Sequence, residues 1–212
     1  MTGTDRKNLD QRLKKAYGVK SAADVVELYD SWADDYDTEL LDELGYVAPR
    51  LTAEAFCRHV PDTNALILDV GCGTGLVGKE LHDAGYTHVD GLDISNEMLA
   101  RARDKGAYEA LLQADLTLPL DLPDNHYDAM VSAGTFTHGH VGPDGLDELI
   151  RATKPGGLIC FTVNEGVFET NDFPGKLAAL EASGVARVVE QERMDYILNE
   201  QISAMIITLS VR

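Results

Sequence analysis

From residue 65 onward the chain alternates short, continuously apolar runs with stretches whose apolar residues recur at helical spacing. The apolar runs, at 65–70, 88–94, 109–115, 127–133 and 158–163, predict strands buried on both faces. The stretches between them predict helices at 76–84, 96–105 and 144–153. The link 116–125 carries proline and predicts no full helix. A polar loop follows at 164–172, then a helix at 176–183. Two long β-rich runs, 187–196 and 202–211, close the chain, and the short polar link Leu198-Asn199-Glu200 makes them antiparallel. The expected fold is α/β: a Rossmann-like three-layer sandwich whose sheet is parallel except for one reversed strand at its end.

Upstream, residues 1–20 are polar, with Leu9 and Leu13 at helical spacing, and predict a loosely attached arm. Ser21 is a fitting N-cap with Asp24 in the first turn behind it. Val25, Leu28, Tyr29 and Trp32 then recur at helical intervals, and Tyr36 follows. Tyr46-Val47-Ala48-Pro49 breaks the pattern, and 51–60 predict another helix, closed by Pro61. Residues 1–60 are thus expected as a helical arm and lid, and 61–212 as the main domain. Tyr29, Trp32 and Tyr36 read either as a core-facing stripe or as aromatic walls closing over a ligand.

Composition narrows the partners. The chain has 212 residues, 44% hydrophobic and 25% charged, enough for a substantial core. Its 36 acids outnumber 18 bases, for a formal net charge of −18. Phosphate backbones bind by releasing counterions to Lys and Arg, so nucleic acid and anionic membrane are unsuited, and a small-molecule partner is expected. A protein partner stays open. The N-terminus lacks the apolar core of a signal peptide, and Cys57, Cys72 and Cys160 are odd in number and far apart. Both features fit a cytoplasmic protein with neither disulfide framework nor metal site.

The chemistry gathers at Leu66-Ile67-Leu68-Asp69-Val70-Gly71-Cys72-Gly73-Thr74-Gly75. An apolar strand runs into a turn whose glycines let backbone N–H groups approach a ligand, and the next helix directs its N-terminus there. Ligands in open α/β sheets sit beyond the carboxyl ends of the strands, where Asp69, Asp93 and Asp115 all fall. Asp93 suits the vicinal hydroxyls of a ribose. Asp115 suits an exocyclic amine, with Ile94, Met98 and Leu116 sandwiching a base. Each acid alone also reads as a cap or turn residue. Gly73-Thr74-Gly75-Leu76-Val77-Gly78 matches the dinucleotide fingerprint G-x-G-x-x-G, so an NAD-dependent oxidoreductase is a rival. Against it, the chain has no Tyr-x-x-x-Lys pair and little length for a separate substrate domain. The register anchored on Asp69 reads D-x-G-x-G-x-G, where a carboxylate can offset an amino-acid ammonium.

Asp69-Val70-Gly71-Cys72-Gly73-Thr74-Gly75, Gly91-Leu92-Asp93-Ile94-Ser95, Gln113-Ala114-Asp115-Leu116, Tyr127-Asp128-Ala129-Met130 and Lys154-Pro155-Gly156-Gly157 together resemble the class I S-adenosylmethionine-dependent methyltransferases. Tyr29-Asp30-Ser31-Trp32-Ala33-Asp34-Asp35-Tyr36-Asp37, with Tyr46-x-Ala-Pro49, is similar to a smaller subgroup, that of the Williams–Beuren syndrome region methyltransferase-like protein. The resemblance implies a seven-stranded sheet with its last strand antiparallel, and S-adenosylmethionine as cofactor, released as S-adenosylhomocysteine. It implies that Gly71, Gly73 and Gly75 hold the methionine part, Asp93 the ribose and Asp115 the adenine, under an N-terminal lid. Cys72, Ala114 and Ser132 complete the expected cofactor set, Cys72 for its small size.

The acceptor is not implied. There is no Asn-Pro-Pro-aromatic motif and no cysteine pair for attack on a pyrimidine; after strand 4 the chain reads Ser132-Ala133-Gly134-Thr135-Phe136-Thr137-His138-Gly139-His140. His138 is the expected base, since histidine titrates near neutrality. Tyr36, Phe136, Thr137, His140 and Glu165 are expected around the acceptor. Glu165 and Glu169 would favour an amine, or are simply two acids of an acidic surface. A non-catalytic scaffold that binds the cofactor is the third reading.

Overall fold

The computed structural model describes residues 12–19 and 21–212. The expected N-terminal arm therefore lies largely outside the described residues; within it, 12–16 are helical. Seven strands form one sheet: β1 (Ile67–Val70), β2 (Val89–Asp93), β3 (Leu111–Gln113), β4 (Tyr127–Phe136), β5 (Thr153–Asn164), β6 (Ala186–Ile197) and β7 (Ile202–Val211). Their order is β3-β2-β1-β4-β5-β7-β6. Pairings among β1 to β5 are parallel, whereas β7 is antiparallel to both β5 and β6. The reversed strand is last in the chain, as expected, but it lies inside the sheet rather than at its edge. Burial explains the order: β7 is buried along most of its length, while β6 alternates charged residues and keeps the outer position.

Neighbouring residues on each strand point to opposite faces and feed separate cores. Leu68, Met130, Ile159 and Ile207 meet helices α5 (Gly145–Ala152) and α7 (Phe173–Ser183) on one side. Ile67, Ala129, Cys160 and Ile206 meet α2 (Ala48–His59) and α3 (Leu76–Asp83) on the other. Helix α4 (Asn96–Asp104) packs Leu99 and Ala102 against Cys72, Tyr108 and Leu111 beside β3.

Helix α1 (Ala22–Trp32) starts at Ser21, whose hydroxyl accepts from Asp24 N–H at 3.2 Å. The chain then makes a π-helical stretch, Thr38–Leu44, which no apolar period announces, closed by Gly45 at φ +67°. Pro49 does not break the pattern. It sits in the first turn of α2, where the missing N–H would have no helical partner, so that helix begins earlier than expected. The expected polar loop after β5 contains one helical turn, α6 (Glu165–Phe168). Val25, Leu28, Trp32, Leu40, Leu44 and Tyr46 bury themselves with Tyr196, Ile197 and Ala204, which seats α1 and the π-stretch on the β6–β7 hairpin. No helix among the described residues is long and apolar enough to cross a membrane.

Candidate functional site

Strand order reverses between β2-β1 and β4, and the glycine turn leaves the sheet at that point. Gly71, Gly73 and Gly75 have φ of +67°, +54° and +89°, conformations that favour glycine. Asp93 sets the turn. Its Oδ2 accepts from Gly73 N–H at 2.8 Å and its Oδ1 from Ser95 N–H at 2.9 Å. Burial nonetheless raises its pKa above the usual carboxylate value, despite those donors. A Cβ on Gly71 would lie 2.0 Å from Thr135 Oγ1, whereas one on Gly73 would meet nothing within 4 Å. Gly73 therefore opens on free space. That space is a cavity of about 370 Å³, the size class of small-molecule sites.

The cavity is lined by Gly71, Gly73, Asp93, Ile94, Met98, Ala114, Asp115 and Leu116. Asp115 also accepts from Thr117 N–H (2.8 Å) and hydroxyl (2.6 Å), so it is a turn residue and a cavity residue at once. Tyr29, Trp32 and Tyr36 roof the space. Their ring centroids stand 5.0 Å (Trp32–Tyr36), 5.9 Å (Tyr29–Tyr36) and 6.3 Å (Tyr29–Trp32) apart. The stripe is both packed and cavity-facing.

Thr137, His140, Tyr46 and Tyr196 line the same cavity. His140 Nδ1 is 2.6 Å from the His138 carbonyl, which can only accept, so Nδ1 carries the proton. Nε2 is then an acceptor, 3.1 Å from the Tyr29 hydroxyl, which donates to it. Burial lowers the His140 pKa and raises those of Tyr29, Tyr36, Tyr46 and Tyr196, so the imidazole and the phenols are neutral at pH 7. Thr137 Oγ1 is buried with no protein partner.

Other expected residues fall elsewhere. Asp69 lies behind the turn, wholly buried and off the cavity wall. Cys72 points into the α4 packing, where burial raises its thiol pKa and keeps it inert. Gly75 packs against Ala102 and the Tyr108 ring, and Ser132 donates to the Val70 carbonyl at 2.7 Å. Phe136 is a core residue, its ring 5.2 Å from Phe161 and 5.7 Å from Phe173. His138 lies outside the main cavity, edge-on to Tyr17 at 5.1 Å, in a shallow concavity shared with Glu165. Glu165 is ion-paired with Arg193 at 2.9 and 3.0 Å. Among the described residues no group of His, Cys, Asp or Glu is placed to hold a metal ion.

Tyr46 and Tyr196, far apart in sequence, had no signal of this kind. They meet because Tyr46 bridges to Ile197 and Val47 N–H donates to the Tyr196 carbonyl at 3.1 Å. The two rings cross at 5.2 Å.

Residues 67–157 match the family model described as a methyltransferase domain. The human methyltransferase-like protein 27 is 40% identical over 154 residues, covering 71% of this chain and 62% of that protein. The chain spans less than two thirds of the length of the curated relatives it matches. Among solved structures, the [4+2]-cyclase SpnF superimposes with a TM-score of 0.68 at 18% identity, over 91% of this chain and 97% of that one. Magnesium protoporphyrin IX methyltransferase from Synechocystis PCC 6803, crystallised with bound SAM, superimposes with a TM-score of 0.60 at 15% identity, over 77% and 79%. At these identities both likenesses concern the fold.

Proposed function

The chain belongs to the class I S-adenosylmethionine-dependent methyltransferases, and on that premise we propose that it moves a methyl group from S-adenosylmethionine to a small-molecule acceptor, leaving S-adenosylhomocysteine. The observation that carries the reading is the Gly73–Asp93 corner. A backbone cradle open to the cavity stands beside a carboxylate whose loop-facing lone pairs are already used. In this reading Asp93 takes ribose hydroxyls, Asp115 an adenine amine, and Ile94, Met98 and Leu116 the faces of the base. Such a set suits a nucleoside with an amino-acid arm.

When bound, S-adenosylmethionine supplies a methyl group already activated on a sulfonium sulfur. The protein's task is then chiefly alignment, which can lower a barrier by about 7–11 kcal/mol. Tyr29, Trp32 and Tyr36 offer ring faces to a cation, worth on the order of 0.5–2 kcal/mol. His140, rather than His138, is the base in this reading. Its ring lines the cavity with Nδ1 fixed by a carbonyl, and its Nε2 lone pair, which accepts from the Tyr29 hydroxyl, would turn to an acceptor that displaces that hydroxyl. Nε2 would then take the proton that the acceptor gives up on methylation. Until then the Tyr29 hydroxyl holds the ring in place.

Calorimetric titration with S-adenosylmethionine, S-adenosylhomocysteine and NAD tests the cofactor. Micromolar binding of the first two, lost in Asp93→Ala, is expected; binding of NAD alone would overturn the reading. Incubation with S-adenosylmethionine and panels of amines, phenols, thiols and carboxylic acids, followed by S-adenosylhomocysteine release, tests the acceptor class. No release above blank in any panel would favour a non-catalytic scaffold.

A further inference from the structure

The stretch from Tyr29 to Asp37 has two sets of side chains with different destinations. Tyr29, Trp32 and Tyr36 face the cavity, while Asp30, Asp34 and Asp37 reach down to the main domain. Asp30 accepts from the Ser95 hydroxyl at 2.5 Å, and Asp34 pairs with Arg101. Asp37 does more. Its Oδ1 accepts from the Thr74 hydroxyl at 2.5 Å and its Oδ2 from Lys105 Nζ at 2.6 Å. Thr74 is 2% exposed and sits between the cradle glycines Gly73 and Gly75.

We infer that Asp37 is a positioning residue that pins the aromatic roof to the glycine turn, so that opening the roof and loosening the cofactor cradle are one event. The inference rests on the methyltransferase reading for the identity of the ligand, but the pin itself is a property of the chain. The Asp34–Arg101 pair is exposed and contributes little of this coupling. Asp37 differs because its partners are held: Thr74 by burial, and Lys105, 20% exposed, at the end of α4. The roof is also stiff enough to transmit the pin. Trp32 Nε1 donates to Glu39 at 2.6 Å, and Arg12, itself bonded to Glu39 at 2.7 Å, lies 6.0 Å over the indole. Removing Asp37 frees the Thr74 hydroxyl and unseats Tyr36, its neighbour in the chain, together. By linkage, a ligand that needs the ordered cradle favours the closed roof.

Trp32 is the chain's one tryptophan and is 2% exposed, which makes it a reporter of the roof. Acrylamide quenching of the unliganded protein and stopped-flow release of S-adenosylhomocysteine are measured for wild type, Asp37→Ala, Asp37→Asn, Thr74→Val and Thr74→Ser. Asp37→Ala is expected to make Trp32 readily quenched and to speed release about tenfold, the scale of losing hydrogen bonds to a charged group. Asp37→Asn keeps an oxygen for Thr74 and should fall between; Thr74→Val should resemble Asp37→Ala, and Thr74→Ser wild type. Added salt should raise quenching in wild type more than in Asp37→Ala. Should Asp37→Ala fail to fold, the Thr74 pair decides the matter alone. Unchanged quenching and release in folded Asp37→Ala or Thr74→Val would overturn the pin. Failure of wild type to bind S-adenosylhomocysteine would instead sink the methyltransferase reading, with the quenching series still deciding the pin.

Discussion

The Tyr108 hydroxyl donates to Asp69 Oδ2 at 2.7 Å behind the glycine turn, while Asp69 Oδ1 is buried with no protein partner. Burial, with the charge of Asp93 added, pushes the Asp69 pKa up to about 7. The folded state therefore holds this proton more tightly than the unfolded chain, whose carboxyl titrates near 4. Its stabilising protonation is complete below about pH 4 and lost as pH rises toward about 7. Asp69→Asn keeps an acceptor for Tyr108 and cannot ionise. Relative to wild type, it is expected to gain stability from pH 4 to pH 8, on the order of 4 kcal/mol. Urea unfolding at a series of pH values checks this, and a constant difference between the two proteins would refute it.

Two glycines of the same turn and helix should respond for different reasons. A Cβ on Gly78 would lie 2.2 Å from Tyr108 Cζ, so Gly78→Ala must move the ring that supports Asp69. Overpacking costs roughly 1–3 kcal/mol, and the helix propensity of alanine returns about 1 kcal/mol. A net loss of about 1 kcal/mol is expected on denaturant unfolding. Gly73 has open space instead, at φ +54°. Gly73→Ala should cost about 1–2 kcal/mol for the left-handed backbone. Its larger effect is expected in titration, as S-adenosylmethionine affinity reduced at least tenfold by the methyl group in the cradle.

Sequence pattern reached the sheet because its central strands read as short apolar runs and the turn after β1 carries glycine. It did not reach the place of β7, since a hairpin link specifies direction but not which strand lies outermost. At the site, strand ends were legible and side-chain directions were not. Asp69, Asp93 and Asp115 all stand at carboxyl ends, yet Asp69 turns behind the loop while the other two border the cavity. The acids Asp30, Asp34 and Asp37 carried no role until α4 was set beneath them. Tyr46 and Tyr196 needed the full tertiary fold.

The acid stretch offers a further check that does not depend on Asp37. Asp30 bonds Ser95, which caps α4 by accepting from Met98 N–H at 3.1 Å and whose own N–H donates to Asp93. Ser95→Ala removes the cap and the roof contact together. The loss of a cap is worth about 1 kcal/mol. Asp30→Ala leaves the cap in place, so it should lower the melting temperature less than Ser95→Ala while weakening S-adenosylhomocysteine binding severalfold. Equal destabilisation by both variants would place the energy of this contact in the roof rather than in the helix start.

His138 and His140 are two residues apart, but Gly139 between them has φ +71° and turns their side chains to different surroundings. Loops have no period from which such a turn can be read. His140→Gln is expected to lower kcat by about a hundredfold or more, the usual scale of general-base catalysis, with little change in KM. His138→Gln, altering a ring outside the main cavity, should stay within a few fold of wild type. Because burial lowers the His140 pKa, the imidazole is neutral and competent at pH 7. Activity should therefore persist below the pH at which an ordinary histidine charges, and fall as pH drops through the lowered value. Tyr29→Phe takes away the hydroxyl that donates to Nε2. It leaves a less constrained base, so the acid limb should move and kcat should fall less than in His140→Gln. The pH–rate profiles of the three variants decide the assignment: a limb lost in His138→Gln and kept in His140→Gln would return the base to His138.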